Sequence, residues 1–242
     1  MPRATKSPAS LTLGVIYARL GRVGDALAVL KRGVELLPDN YLIASPYVHL
    51  LNEVGHSDEV IRVITADGRY PFEHELDSWN ALGVAYLNGG QLEKAREALQ
   101  SAVALDEKDY LVHRNLGDVE FAVFFRSKDP EAYQRALAFY QKAVELNPRD
   151  PSSRNALGFT YLQGGRPKEA IPHLEKAVEL VPDYATAIYN LGLAYFNTGD
   201  YKKALENLTR FRERFSGPLT PAQIGAVDAM IQQCKAKLAG AR

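Results

Sequence analysis

The chain repeats one short motif at a fixed spacing, and this repetition constrains its fold more than any other feature. Residues 79–86 read Trp-Asn-Ala-Leu-Gly-Val-Ala-Tyr, and a weaker copy starting at Leu116 has Glu120 in place of the tyrosine. From Gly83 to Gly117 is 34 residues, and the last two copies have the same spacing. A period of this length indicates supersecondary units that stack on one another. The Leu-Gly-x-x-Tyr core of the motif also occurs at Leu13–Tyr17, Leu157–Tyr161 and Leu191–Tyr195.

Further positions recur in phase with these glycines. Each unit has apolar residues at helical spacing in two segments, which predicts two amphipathic helices per unit. Glycine and alanine at fixed positions remove side-chain bulk where two helices cross, so their axes can approach closely. Twelve residues after the glycine comes a small residue: Ala26, Ala95, Ala170 or Ala204. Four residues later comes a large apolar one: Leu30, Leu99, Leu174 or Leu208. A proline closes three of the units: Pro38, Pro148 and Pro182.

This pattern resembles the tetratricopeptide repeat, and the resemblance covers nearly the whole chain. It implies an all-α fold: a right-handed α-solenoid, or superhelix, of tandem helix-turn-helix repeats with a C-terminal capping helix. Residues 1–220 are predicted to hold six repeats, and residues 221–242 the capping helix and tail. The repeats are expected at 7–40, 41–75 (degenerate), 76–109, 110–150 (with an insertion), 151–184 and 185–218.

The unit 41–75 departs from the pattern. Tyr47 and Val48 stand in place of the Leu-Gly pair, and Val60 replaces the small alanine. Pro46 falls inside the first predicted helix, where it removes a backbone hydrogen bond. Two interpretations stay open: a drifted unit that still packs, or a bend at the loosely patterned connection 67–74 that divides the array.

The unit 110–150 carries an insertion. Its glycine is 41 residues from the next one, seven more than the period. The segment 129–131 reads Asp-Pro-Glu, which predicts an N-cap followed by proline at the first helical position. The preceding helix should therefore run past Phe121 to about Phe125. Phe124 and Phe125 would then either fold back onto the preceding loop or form an exposed apolar contact for a partner.

The charge balance and hydropathy exclude several classes of protein. The 242 residues include 29 basic and 29 acidic side chains, and 46% of the residues are hydrophobic. Zero net charge argues against a nucleic-acid partner, which calls for a basic surface. No stretch is apolar enough to span a membrane. The first ten residues lack the apolar core of a secretion signal, so a cytoplasmic location is slightly favoured although the compartment stays unknown.

No pattern of catalytic or metal-binding residues is found. The five histidines form no metal-ligand spacing, and the chain has no nucleophile elbow, P-loop or dinucleotide fingerprint. Cys234 is the only cysteine, and a buried structural thiol in the last helix is expected. We therefore predict that the protein is not an enzyme and uses neither a metal nor another cofactor.

The resemblance implies that the first helices of the repeats line a concave, peptide-binding groove. Asparagine recurs there once per unit over the last four units, and its amide can donate to and accept from a peptide backbone. An alternative is that these asparagines cap helices or pack within the array. The predicted groove residues are Asn80, Arg114, Asn115, Asp118, Phe121, Asn155, Phe159, Tyr189, Asn190 and Phe196.

The predicted function is that of a non-catalytic protein–protein interaction scaffold that binds a protein or peptide segment in this groove. Two alternatives come from the start of the chain, which lies almost directly inside its first unit. The chain could be the repeat docking arm of a larger multidomain enzyme. It could also associate with itself through the N-terminal repeat.

Overall fold

The structure is a computed structural model that describes residues 8–66, 72–215, 217 and 219–240. Within these residues all regular secondary structure is helical, with thirteen α-helices and no strand. The chain forms two compact units, Met1–Val119 and Glu120–Arg242. The helices are α1 (Pro8–Arg19), α2 (Val23–Leu36), α3 (Tyr41–Glu53), α4 (Ser57–Thr65), α5 (Leu76–Asn88), α6 (Leu92–Leu105), α7 (Tyr110–Ser127), α8 (Pro130–Leu146), α9 (Pro151–Gln163), α10 (Pro167–Leu180), α11 (Ala185–Thr198), α12 (Tyr201–Phe215) and α13 (Pro221–Ala239).

Several helices begin at side chains that satisfy the free backbone N–H groups of the first turn. The carboxylate of Asp129 accepts a hydrogen bond from the backbone N–H of Glu131 at 2.9 Å, and proline follows it, as the Asp-Pro-Glu sequence predicts. Asp150 likewise accepts from the N–H of Ser153 at 2.7 Å. Thr220 and Gln223 form a reciprocal capping box that starts α13.

A glycine lies at the crossing of the two helices in the regular hairpins. A Cβ atom added to Gly83 would lie 2.5 Å from Cγ of Leu99, and one added to Gly158 would lie 2.6 Å from Cγ of Leu174. Both leucines are fully buried. The leucine therefore occupies the volume that the missing side chain leaves free, as the recurring Gly and Leu positions predict. The same relationship holds for Gly14 with Leu30 and for Gly192 with Leu208.

The degenerate repeat packs despite its substitutions. Tyr47, Val48 and Val60 are at most 4% exposed, and the Tyr47 hydroxyl donates to Glu59 Oε1 at 3.1 Å. Helix α3 is continuous through Pro46. These observations agree with a drifted unit that still contributes to the core. Most of the connection in which a bend was considered, residues 67–71, lies outside the described part of the chain.

The inserted repeat has the longest first helix among those described. Helix α7 spans 18 residues and ends at Ser127, two residues beyond the predicted end. The Phe124 ring packs against Tyr133 of α8, with ring centroids 5.2 Å apart. The neighbouring Phe125 is 61% exposed. The two phenylalanines thus differ, since one is held by the second helix of the hairpin and the other faces solvent.

A cation lies over the motif tyrosine in four hairpins. The inserted repeat lacks this tyrosine, and Glu120, which takes its place, is 1% exposed. Its Oε2 atom accepts a hydrogen bond from Nε of Arg135 at 2.7 Å. An ion pair therefore replaces a cation–π contact at this position. The four cation–ring distances are 4.5 Å for Arg22 and Tyr17, 5.5 Å for Lys94 and Tyr86, 4.8 Å for Arg166 and Tyr161, and 4.8 Å for Lys203 and Tyr195.

Candidate protein-binding surface

In the first compact unit, two predicted groove residues bond to each other. The Asn115 side chain on α7 is 5% exposed, and its Nδ2 donates to Oδ1 of Asn80 on α5 at 2.7 Å. Nη2 of Arg114 approaches Oδ1 of Asn115 at 3.4 Å. Arg114 and Asp118 are half-buried. Asn80 and Asn115 are therefore engaged with each other within the array.

The second compact unit repeats the same relationship. The Asn190 side chain on α11 is 6% exposed, and its Nδ2 donates to Oδ1 of the half-buried Asn155 on α9 at 3.0 Å. Among the described residues, the Nδ2 hydrogens of Asn155 and the Oδ1 atom of Asn190 have no hydrogen-bond partner. This pair therefore retains one donor group and one acceptor atom.

The spacing of the asparagines in the sequence indicates this pairing, although the groove prediction considered each repeat separately and did not include it. The two asparagines of each pair are 35 residues apart, one more than the repeat period. Asn80 and Asn155 take the fifth position of their units, whereas Asn115 and Asn190 take the sixth. In both pairs the side chain at the sixth position donates to the one at the fifth position of the preceding unit.

The predicted aromatic residues fall into two sets within the second unit. Phe121 of α7 and Phe159 of α9 are half-buried, and their ring centroids are 5.5 Å apart, so they form one patch on neighbouring first helices. Tyr189 instead packs on Phe211 of α12 at 5.0 Å. Burial raises the pKa of the Tyr189 hydroxyl above its ordinary value. Phe196 packs edge-on against Tyr201 at 5.9 Å, also within its own hairpin.

The described residues offer little for covalent or metal chemistry. No group of three or more histidine, cysteine, aspartate or glutamate side chains is placed to hold a metal ion in this part of the chain. The Cys234 thiol is fully buried, as expected from the sequence, and burial raises its pKa, so the nucleophilic thiolate is disfavoured. None of the described helices combines the length and apolar character needed to cross a bilayer.

Stacked helical hairpins with glycine–leucine crossings define an all-α repeat solenoid. Five family models, described as tetratricopeptide repeat or TPR repeat, match the chain at residues 8–32, 76–109, 139–171, 160–199 and 186–217. Together these segments cover more than half of the sequence. The chain belongs to the tetratricopeptide-repeat family, which confirms the resemblance seen in the sequence.

Comparisons with individual proteins agree with this assignment. The chain is 34% identical over 92 residues to the bovine (Bos taurus) BBSome complex member BBS4. The matched segment covers 38% of this chain and 16% of that protein. It is 27% identical over 110 residues to the photosystem I assembly protein Ycf3 of Prochlorococcus marinus (strain NATL1A). This match covers 46% of this chain and 60% of that protein. The chain thus spans less than two thirds of either relative.

A solved structure shows the same fold over nearly the whole chain. It is a tetratricopeptide repeat protein from Parabacteroides merdae, with a TM-score of 0.69 at 13% identity. The alignment covers 97% of this chain and 86% of that protein. The likeness supports the all-α repeat fold and, at this identity, nothing more specific.

Proposed function

We propose that the protein is a non-catalytic scaffold that binds a segment of a partner protein along the first helices of its repeats. The observation that supports this most directly is the Asn155–Asn190 pair. Its internal hydrogen bond fixes both amides, and it leaves the Asn155 Nδ2 group free to donate and the Asn190 Oδ1 atom free to accept. A polypeptide backbone presents a carbonyl acceptor and an N–H donor at each residue, so a pre-positioned amide pair matches it without reading side chains.

The aromatic patch beside this pair supplies apolar contact area. Phe121 and Phe159 are half-buried and lie on α7 and α9, and α9 also carries Asn155. Aromatic rings held by packing add contact area at a low entropic cost. The names of the two relatives, one an assembly protein and the other a member of a complex, are consistent with a protein-binding role for the matched repeats.

A site-specific crosslinking experiment tests the proposal. A photoreactive phenylalanine analogue is placed at Phe159, and in a matched control at the exposed Gln141 of α8. Capture from source lysate should give a crosslinked protein from position 159 and not from position 141. The captured protein is then purified and titrated against the wild type and an Asn155→Ala/Asn190→Ala variant. We expect the variant to bind about tenfold more weakly, since two polar contacts are lost. Equal crosslinking at both positions, or unchanged affinity, would contradict the groove assignment.

A second candidate, self-association through the N-terminal repeat, is favoured by one feature of α1. Leu13 and Ile16 of α1 are 42% and 47% exposed, and Leu20, which directly follows the helix, is 66% exposed. The backbone N–H of Leu20 still donates to the carbonyl of Ile16 at 3.0 Å, so the spacing of the three residues continues one helical stripe. Exposed apolar stripes of this kind can pair with a second copy. Sedimentation equilibrium should then show a mass that rises with concentration in the wild type and not in an Ile16→Ser variant. A monomer at every concentration excludes this candidate.

A further inference from the structure

One hairpin turn differs from all the others that the structure describes. Between α7 and α8 the residue with positive φ is Lys128, at +57°. A side chain in this left-handed conformation is strained, and glycine is the residue that adopts it without penalty. Strain of this type persists only where the surrounding structure imposes it, and it is concentrated at functional sites such as ligand clamps. The other described hairpin turns place glycine there: Gly21 (φ 71°), Gly55 (78°), Gly90 (71°), Gly165 (70°) and Gly199 (83°).

The conformation of Lys128 directs its side chain over two aromatic rings. Its backbone N–H donates to the carbonyl of Phe124 at 2.8 Å, which closes the end of α7. Its Nζ atom then lies 4.7 Å from the centroid of the Phe125 ring and 5.6 Å from that of Phe124. Phe124 is anchored on Tyr133, whereas Phe125 is 61% exposed. The inserted residues therefore end in an exposed ring with a cation beside it.

The described acidic side chains near this turn form ion pairs with Arg135 and not with Lys128. Arg135 lies 2.7 Å from a carboxylate oxygen of Glu120, 3.6 Å from one of Asp129 and 3.7 Å from one of Glu131. Lys128 forms no ion pair with any residue that the structure describes. Its charge is thus available to a negatively charged group from another molecule.

We propose that Phe124, Phe125 and Lys128, called here the α7 tip, dock a partner segment that carries a large apolar residue next to an aspartate or glutamate. The apolar side chain covers the exposed ring of Phe125. The carboxylate pairs with Nζ of Lys128, which the rings already hold in place, so little side-chain entropy is lost on binding. The proposal rests on the protein being a protein-binding scaffold, and it gives that scaffold a sequence preference that the asparagine amides lack.

The test uses a phage-displayed library of random dodecapeptides selected on the full chain. Counter-selection on a Phe125→Ser/Lys128→Gly variant removes clones that bind elsewhere. We expect the retained peptides to share an apolar residue adjacent to Asp or Glu. A synthetic peptide from the selection should bind about tenfold more weakly to Lys128→Gly and to Phe125→Ser than to the wild type. It should bind Lys142→Gln, a charge-matched control at an exposed position on α8, within about twofold of the wild type.

Weaker peptide binding by the Lys128→Gly variant cannot be explained by misfolding if this variant is as stable as the wild type. It introduces the residue that the other hairpins use, so its helical circular dichroism and melting temperature should equal or exceed those of the wild type. Retained peptides without acidic residues, or affinity unaffected by Phe125→Ser, would overturn the proposal. So would self-association of the wild type that Phe125→Ser abolishes, because the occupant would then be a second copy.

An Asn155→Ala/Asn190→Ala variant separates this proposal from the groove. If no peptide survives the counter-selection, and a peptide selected on the wild type alone loses affinity only for the asparagine variant, the α7 tip is not its docking site and the groove proposal stands. If it loses affinity only for the tip variants, the tip proposal stands and the groove assignment fails for this ligand.

Discussion

Arg135 donates a hydrogen bond from Nε to Oε2 of the buried Glu120 at 2.7 Å, in the one motif copy where glutamate takes the place of the tyrosine. Elsewhere in the chain a cation covers that tyrosine, as Arg166 covers Tyr161. In both arrangements the cation comes from the N-cap or the first two turns of the second helix, and only its partner on the first helix changes.

Removing Arg135 should destabilise the protein more than restoring the tyrosine does. Arg135→Met leaves the Glu120 carboxylate buried without this partner, at a cost of about 2 kcal/mol. This figure is below that for a fully buried pair because the Arg135 side chain is 43% exposed and partly screened. Glu120→Tyr recreates the cation–ring contact and should stay within about 1 kcal/mol of the wild type. Urea unfolding measures both, and an Arg135→Met variant as stable as the wild type would contradict the expectation.

The glycines at helix crossings should tolerate no side chain. Gly158→Ala places a methyl group 2.6 Å from Cγ of the fully buried Leu174, so we expect a loss of about 1–3 kcal/mol in the free energy of unfolding. Gly225→Ala is the matched control, since this glycine is in α13 and has nothing within 4 Å of an added Cβ. It should stabilise the protein by about 0.5–1 kcal/mol through helix propensity. Similar effects of the two substitutions would show that crowding at the crossing is not the cause.

The sequence predicts those parts of the structure that depend on local spacing. The Gly158–Leu174 crossing follows from residues 16 apart within one hairpin, and the end of α7 follows from the Asp-Pro-Glu cap. Contacts between repeats are harder to predict, because a side chain can face either solvent or its counterpart in the next repeat. The Asn155–Asn190 bond is of this kind. Lys128 could not be singled out, because the segment Arg-Ser-Lys-Asp does not reveal which residue takes positive φ.

The two asparagines of the second unit should be energetically coupled. Asn155→Ala removes the acceptor of the nearly buried Asn190 amide, which should cost about 1–2 kcal/mol because a buried donor loses its partner. Asn190→Ala removes the donor from the half-buried Asn155, and the penalty should be smaller because water can replace it. The double variant should lose less stability than the sum of the single ones. A double-mutant cycle in urea measures the difference, and strict additivity would show that the bond contributes nothing.

The stability of the second unit should depend on the protonation of His173 in α10. Its ring stacks on Tyr161 with centroids 5.8 Å apart and planes at 18°, and its Nδ1 atom is buried without a hydrogen-bond partner among the described residues. Burial lowers the pKa of His173, and the positive charge of Arg154 adds to the effect. The folded state then binds the proton less readily than the unfolded state. The neutral His173 ring therefore contributes its full stabilisation above the ordinary histidine pKa of about 6.5.

As the pH falls from about 6.5 towards the lowered pKa, that contribution is progressively lost. A His173→Phe variant keeps the ring stack with Tyr161 and has no proton to bind. Urea unfolding at pH 7.5 and pH 5.5 should therefore show a smaller acid-induced loss of stability in His173→Phe than in the wild type. Other titrating groups are common to both proteins and cancel in this comparison. An equal loss in the two proteins would show that His173 titrates alike in the folded and unfolded states, contrary to the burial of its Nδ1 atom.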